Sequence, residues 1–445
     1  MKNKIFWICI IFWTLITFLR MLMHQPWLDE SNVWMIAKNM EFGSILSSLK
    51  YEGHFLIWFF TIMPFAKFNL GYPYSMLFIN WLFCFAAILI LWLYSPINHW
   101  AKACISFSFP FLACYSVVAR CYSIGIFFIF ILLAMYKDKL KHPIIYAFLI
   151  LLCANTSLMA AIGAFALGLI LLFELYKQKQ NKDLWTCIGV FLFCLILLII
   201  QVSGVDKSHI PTGQIPILTL DWTLKAFIFN KIINLILLIL FAVGFGVILY
   251  RDKKSFFFIA INYILLFSFF QFVYAGNFWH HYFFYIYLIG SCWIFMLNEN
   301  ISCAWKKYIT VLLCILSVLF VIENRIDISV YHSNSRILAE FIKEHPNSKS
   351  IFLSKVFLAT LPYLEKENKK YDISMYNSEN ANYDITLNFE EIKKLYKSNK
   401  ENYLYINSCA PIPNLTDGKK ELIFTLDKNI KNIYCVYKIE FVGKK

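Results

Sequence analysis

Marked only as apolar or polar, residues 1–322 form a succession of long apolar runs separated by short polar breaks. The runs fall at 5–23, 75–94, 100–117, 121–136, 143–154, 158–175, 184–202, 226–250, 255–274, 279–297 and 306–322. A hydrocarbon core of about 30 Å is crossed by about 20 apolar residues as helix. Each run therefore predicts one crossing, the shorter ones with tilt or local thinning of the bilayer. The stretch 143–175 is too long for a single span, and Asn155-Thr156-Ser157 is where it turns. A further apolar segment, FLIWFFTIMPFAKFN at 55–69, is short and contains Pro64, which predicts an interfacial or re-entrant helix.

Beyond residue 322 the pattern changes to mixed charge and turn residues. SNSRILAEFIKEH reads as a capped amphipathic helix, KSIFLS as a strand and KVFLATLPYLEKEN as a second helix. Strands follow near YDISMY, NYLYIN, ELIFTL and NIYCVYKIEF, with the helix FEEIKKLYKSN among them. The expected fold is an α-helical polytopic membrane protein over 1–322, with about eleven transmembrane helices and an outer loop at 24–69 that carries interfacial helices. A small α/β domain at 323–445 completes it.

Lysine and arginine orient this arrangement. KDKLKH (137–142), KQKQNKD (177–183), RDKK (251–254) and ENISCAWKK (299–307) are rich in them, whereas 155–157, 203–221 and 275–278 are poor. The two sets alternate, so the rich loops and the N-terminal Met-Lys-Asn-Lys are expected in the cytoplasm. An odd number of crossings then puts the C-terminal domain outside. Were 55–69 to cross as well, every later loop would invert.

Composition agrees with a membrane protein. The chain is 60% hydrophobic and 15% charged, against about 45–50% and about 25% in soluble domains. Its net charge of +14 does not indicate nucleic acid, because residues 1–322 hold 22 Lys/Arg and 11 Asp/Glu while 323–445 hold 19 and 16. The basic excess thus lies in short loops and reports topology. The thirteen cysteines lie mostly in apolar runs without CxxC or metal spacing, and act there as small hydrophobes. Cys409 and Cys435 alone lie in the polar part, where an oxidising side would allow them to pair. The first run ends in Arg20-Met21-Leu22-Met23 without a small-residue cleavage site and reads as a retained anchor.

The candidate chemistry gathers in the outer loops. Four of the eleven acids of 1–322, namely Asp29, Glu30, Glu41 and Glu52, fall between residues 29 and 52. A carboxylate held near membrane depth is poised to take a proton from an acceptor hydroxyl. Glu52 and His54 open the 55–69 segment, Arg120 and Tyr122 lie in the outer turn VVARCYS, and His280 and His281 lie in GNFWHHYF. An acid, a cation and imidazoles on one face suit transfer from an anionic lipid donor. Each residue also has a plain structural alternative. Asp29 can cap a helix beginning at Glu30, Glu52 can cap the next helix, Arg120 can snorkel to headgroups, and the histidines can be interface polars. A divalent metal lacks support, because two consecutive histidines set no ligand spacing.

Three motifs in order, Trp27-Leu28-Asp29-Glu30, Gly53-His54-Phe55-Leu56-Ile57-Trp58 and Ala119-Arg120-Cys121-Tyr122-Ser123, resemble the GT-C superfamily of membrane glycosyltransferases. The closest pattern is the protein O-mannosyltransferase and aminoarabinose-transferase type found in bacterial membranes. The resemblance covers about the first 135 residues by motif and the remainder by architecture. It implies a GT-C-like fold and an inverting glycosyltransferase in the bacterial cytoplasmic membrane. The enzyme would move a sugar from a polyprenyl-phosphate donor to a lipid, glycan or protein acceptor on the outer face, with no further cofactor. Asp29 matches the family's catalytic acid, with Glu30 in support and Arg120 as the candidate for the leaving lipid phosphate. The family's Pro-Pro after the His54 position is replaced here by Phe55-Leu56, which alters the loop. Two readings of other classes stand beside this one. A lipid-linked-sugar transporter or flippase should carry ionisable groups near the bilayer midplane. A non-catalytic membrane scaffold should tolerate loss of Asp29, Glu30 or Arg120.

Overall fold

The structure is a computed structural model that describes residues 2–39, 41, 43, 45, 55–203, 243–244, 246–248, 250–274, 276–323, 335–344, 349–352, 359–364, 403–408, 418–425 and 434–441. In chain order the helices are α1 (Lys2–Met23), α2 (Leu28–Asn39), α3 (Leu56–Lys67), α4 (Tyr74–Tyr94), α5 (His99–Ser106), α6 (Tyr122–Ala134), α7 (Pro143–Ala154) and α8 (Leu158–Lys177). Then come α9 (Asn181–Val202), α10 (Lys253–Phe272), α11 (Phe278–His281), α12 (Phe283–Leu297), α13 (Cys303–Glu323), α14 (Ser335–Glu344) and α15 (Leu361–Leu364). The chain divides into two compact units. One comprises Met1–Leu22, Leu46–Thr61 and Leu77–Ser329; the other comprises Met23–Ile45, Ile62–Met76 and Val330–Lys445.

The first unit is a helical bundle. Among the described residues five helices are long and apolar enough to cross a membrane: Lys4–Met23, Tyr74–Tyr94, Leu158–Lys177, Asn181–Val202 and Lys253–Phe272. The runs at 121–136 and 143–154 form helices of 13 and 12 residues. At 1.5 Å per residue these reach only about 20 Å. The run expected as one span at 100–117 is broken. α5 stops at Ser106, the Ser108 hydroxyl donates back to the Ile105 carbonyl, and Pro110 opens a π-helical turn at Pro110–Cys114. Proline has no N–H with which to continue the α-helical ladder. The run at 226–250 lies almost wholly outside the described residues.

Burial follows from side-chain placement. In α12 every residue from Phe283 to Met296 is buried, as expected of a helix apolar on all sides. α9 buries only Cys187, Cys194 and Gln201, a single stripe at seven-residue spacing. Past its polar first turn, most of its remaining surface is apolar and at least partly exposed, suited to lipid. α8 approaches α12 closely through Gly163, where an added Cβ would stand 2.5 Å from Tyr287 Cε1. The Tyr287 hydroxyl accepts from the Gly163 N–H at 2.9 Å and donates to the Met159 carbonyl, joining both ends of one i,i+4 pair of α8.

Ion pairs gather the basic loops at one end of this bundle. Lys139 and Lys254 both bind Glu174 at the end of α8, at 3.0 and 2.6 Å, and Lys137 binds Glu299 at 2.8 Å. Arg251 lies over the Trp305 ring. Burial pushes the Lys139 ammonium below the usual lysine range, and the Glu174 carboxylate opposes the shift. The turn Asn155-Thr156-Ser157 is observed at the far end of α7, with Ser157 capping α8 through the Ala160 N–H. There Gln201 Nε2 donates to Asn155 Oδ1 at 2.7 Å, and Gln201 Oε1 accepts the Leu56 N–H at 2.9 Å. The Asn155 carbonyl accepts the Ile57 N–H at 3.3 Å. The start of α3 thus sits at the end opposite the basic loops, and α3 is only 12 residues long.

The second unit holds α2, α14, α15 and a four-stranded sheet. Strands β1 (Lys349–Phe352), β2 (Tyr403–Ser408), β3 (Gly418–Thr425) and β4 (Tyr434–Phe441) run in the order β1-β2-β4-β3. The β1–β2 pair is parallel and the other two are antiparallel, with Ile351 opposite Tyr405 and Ile406 opposite Val436. α14 buries Ser335, Leu338, Ala339 and Ile342, one face of an amphipathic helix, and packs on α15. The helix expected at 389–399, the strand expected near 371–376 and Cys409 lie outside the described residues.

Candidate functional site

Those sequence-derived site residues that the structure describes fall into two clusters, one in each unit.

The cluster of the bundle lies where α6 and α12 begin, at their ends away from the basic loops. Arg120 occupies the turn before α6, with its backbone N–H on the Val118 carbonyl at 3.0 Å. Arg120, Tyr122 and His280 are each more than nine-tenths buried, and His281 is 1% exposed. The Tyr122 hydroxyl meets His280 Nε2 at 2.6 Å, and the Arg120 guanidinium also lies within hydrogen-bonding reach of that hydroxyl. The backbone N–H of Asn277 points at His280 Nδ1, at 2.8 Å. A nitrogen that accepts a backbone N–H carries no proton, so the ring is neutral with its proton on Nε2. His280 therefore donates to the Tyr122 oxygen. His281 takes a different role, stacked on Phe270 at 4.2 Å. Gly276, at φ +74°, passes close to both rings, and a side chain there would meet Phe270 and His281.

A further layer holds this cluster. Asn80 donates to the Tyr115 carbonyl at 2.9 Å and accepts from the Ser123 hydroxyl, while the Tyr115 hydroxyl donates to the Trp279 carbonyl at 2.7 Å. These contacts fix the π-helical turn, the start of α6 and α11 against one another. The result is a guanidinium and a tyrosyl hydroxyl, buried among aromatic rings. Planar guanidinium donors of this kind have the geometry to pair with an oxyanion such as phosphate.

The cluster of the second unit forms at the start of α2, which begins at Leu28. Asp29 and Glu30 both lie in its first turn. Glu30 is fully buried, takes the His24 ring N–H at 2.9 and 3.1 Å on its two oxygens, and accepts the Trp27 N–H at 3.1 Å. An acid at the third helical position that reaches back to the N-cap N–H is half of a capping box. The cap expected of Asp29 is thus made by Glu30, one residue later in a helix that starts earlier. Asp29 itself is half-buried. Ser31 meets the Tyr72 hydroxyl at 2.7 Å, and Trp34 packs on the Tyr72 ring at 5.3 Å.

The structure brings Arg120, Tyr122 and His280 together and sets Glu30 against His24. Glu52 and His54 lie outside the described residues. Sequence reasoning missed His24, Tyr72, Tyr115, Asn80 and Asn277. His24 alone carried a local signal, as the only imidazole within one short turn of the tandem acids. Among the described residues no group of three or more His, Cys, Asp or Glu side chains is gathered as metal ligands.

Compared with protein-family models, with curated proteins and with solved structures, the chain matches none.

Proposed function

We propose that this chain is an inverting membrane glycosyltransferase of GT-C type. It moves a sugar from a polyprenyl-phosphate carrier to a lipid, glycan or protein acceptor on the extracytoplasmic face. The observation that carries the reading is the buried Arg120–Tyr122–His280 cluster at the bundle end opposite the basic loops, whose guanidinium suits an oxyanion. The acids of α2 and the motif resemblance support it. About eleven crossings, a cytoplasmic N-terminus and an extracytoplasmic domain built on the small sheet belong to the same proposal.

In this reading the acceptor hydroxyl gives its proton to Asp29 as its oxygen attacks the anomeric carbon. The bond from that carbon to the phosphate oxygen breaks, and its electron pair leaves with the carrier phosphate. Attack opposite the leaving group inverts the anomeric centre. Arg120 stabilises the charge gathering on the phosphate, because guanidinium donors in a dry site act on developing charge. Tyr122, held from behind by His280, is assigned to the same phosphate. Glu30 has a supporting role, keeping the first turn of α2 in place so that Asp29 keeps its orientation.

The test compares glycolipids and glycoproteins of a deletion strain complemented with wild type or with Asp29→Asn. A carrier-linked sugar that accumulates in the deletion and in the variant, together with one missing glycan, supports the reading. Full restoration by the variant removes Asp29 from the chemistry, and unchanged profiles in every strain favour a scaffold.

A further inference from the structure

The acid-bearing helix α2 is held in the second unit by the segment just before residue 365. α15 packs on α2. The ring of Tyr363 meets the ring of Tyr72 edge to face at 5.0 Å. Tyr72 in turn reaches α2 twice, through its hydroxyl on Ser31 and through its ring on Trp34. Ser31 and Trp34 are both buried, and both lie within five positions of Asp29. A second tie runs alongside, because α14 packs on α15 and is itself pinned by its buried face. The chain that follows the last apolar helix thus reaches back to the first polar loop. The contact is made by aromatic edges, which lock ring orientation more tightly than aliphatic packing does.

We infer that Tyr363 is a positioning residue for the first turn of α2, acting through Tyr72. On this assignment the C-terminal segment is part of the machinery that aims Asp29 and Glu30, and is more than an appended binding module. The assignment rests on the proposed function only for its catalytic consequence; the mechanical link stands on the contacts alone. Tyr363→Ala removes the ring and frees Tyr72 to turn, so the Ser31 hydrogen bond and the Trp34 contact loosen together. Tyr363→Phe keeps the edge-to-face pair and should keep the geometry.

Hydrogen exchange of the full-length, detergent-purified chain reads the link without any substrate, and glycan profiles of complemented deletion strains read its consequence. Tyr363→Ala is expected to speed exchange of the α2 amides about tenfold, on the scale of one lost aromatic pair. It should lower glycan restoration to a similar degree, with Tyr363→Phe returning both to wild type. If the alanine variant fails to fold, Tyr72→Phe supplies the measurement. It deletes the Ser31 bond, leaves both ring contacts, and should speed exchange in the first turns of α2 alone. Wild-type exchange of α2 in Tyr363→Ala, or in Tyr72→Phe where that variant serves, overturns the inference. A wild-type chain that restores no glycan defeats the glycosyltransferase reading instead, and exchange still decides the positioning role.

Discussion

Asp29 and Glu30 are neighbours in sequence, yet their surroundings predict opposite phenotypes. Glu30 is fully buried and accepts hydrogen bonds from the His24 ring and the Trp27 backbone. In Glu30→Gln the amide oxygen in the Oε2 place can still accept from His24 and from the Trp27 N–H, but both bonds lose their charged acceptor, and the NH2 group replaces the oxygen that stood 3.1 Å from the same His24 nitrogen. A hydrogen bond to a charged group contributes about 1.5–3 kcal/mol against about 0.5–1.5 for a neutral one, so weakening both bonds is expected to destabilise by about 1–3 kcal/mol. Asp29 is half-buried, and Asp29→Asn, close in shape, should change stability by less than about 1 kcal/mol. Activity should separate the other way. Removing a general base lowers the rate by about 10²–10⁴-fold. Glu30→Gln, by contrast, should keep measurable transfer at temperatures where the variant remains folded. Thermal unfolding of both variants in detergent, run beside transfer from carrier-linked sugar extracted from a deletion strain, measures the two effects. A stable Glu30→Gln chain with no activity would reverse the roles assigned here, and an active Asp29→Asn chain would remove the base.

Arg120→Gln should lower transfer by about 10²–10³-fold, the cost of losing one donor to developing charge. Arg120→Lys should recover little of it, since an ammonium lacks the planar fork; initial rates with the extracted donor decide. His280→Phe removes the donor behind Tyr122 and should lower the rate, whereas His280→Gln, which can still donate, should recover part of it; wild-type rates in both would show that the Tyr122 contact has no role. Gly163→Ala places a Cβ against Tyr287 Cε1 and should destabilise the bundle by about 1–3 kcal/mol. Adding Tyr287→Phe should not relieve it, because the contacting ring carbon remains, and thermal unfolding of single and double variants tests this. Glu174→Ala leaves the buried Lys139 ammonium only the Tyr136 carbonyl and ring among the described residues and should cost about 1–3 kcal/mol, read in the same assay.

Local chemistry was legible wherever a short stretch decides its own conformation. Asn155-Thr156-Ser157 turns the chain because Ser157 caps the next helix. The alternating apolar residues of 403–408 and 434–441 form strands, and the i, i+3, i+4, i+7 pattern of 335–344 forms a helix buried on one face. The break at Ser106–Pro110 was also written locally, in Ser108 and Pro110, but apolar character on both sides concealed it. Partnerships across the chain were not legible. Tyr122 and His280 are 158 positions apart, and no periodicity connects them. Tyr115 reads as one more interface aromatic until its hydroxyl is seen on the Trp279 carbonyl. Glu30 looked like the start of a helix because a propensity argument counts from the acid. The helix starts at Leu28, and the acid bends back to cap it.

The clasp at the start of α3 bears on how the protein is made. The Leu56 N–H is satisfied by the Gln201 side chain, 145 residues further along, and the Ile57 N–H by the carbonyl of Asn155. A ribosome delivers residues 56 and 57 long before either acceptor exists. Until α7, α8 and α9 have been made, the leading amides of this apolar segment have only water or headgroups to supply acceptors. Assembly of the bundle is therefore expected to run partly backwards, with an early segment held back until later ones draw it in. A nascent chain arrested before residue 201 should leave residues near 56 open to water-borne reagents, and one arrested well past it should shield them.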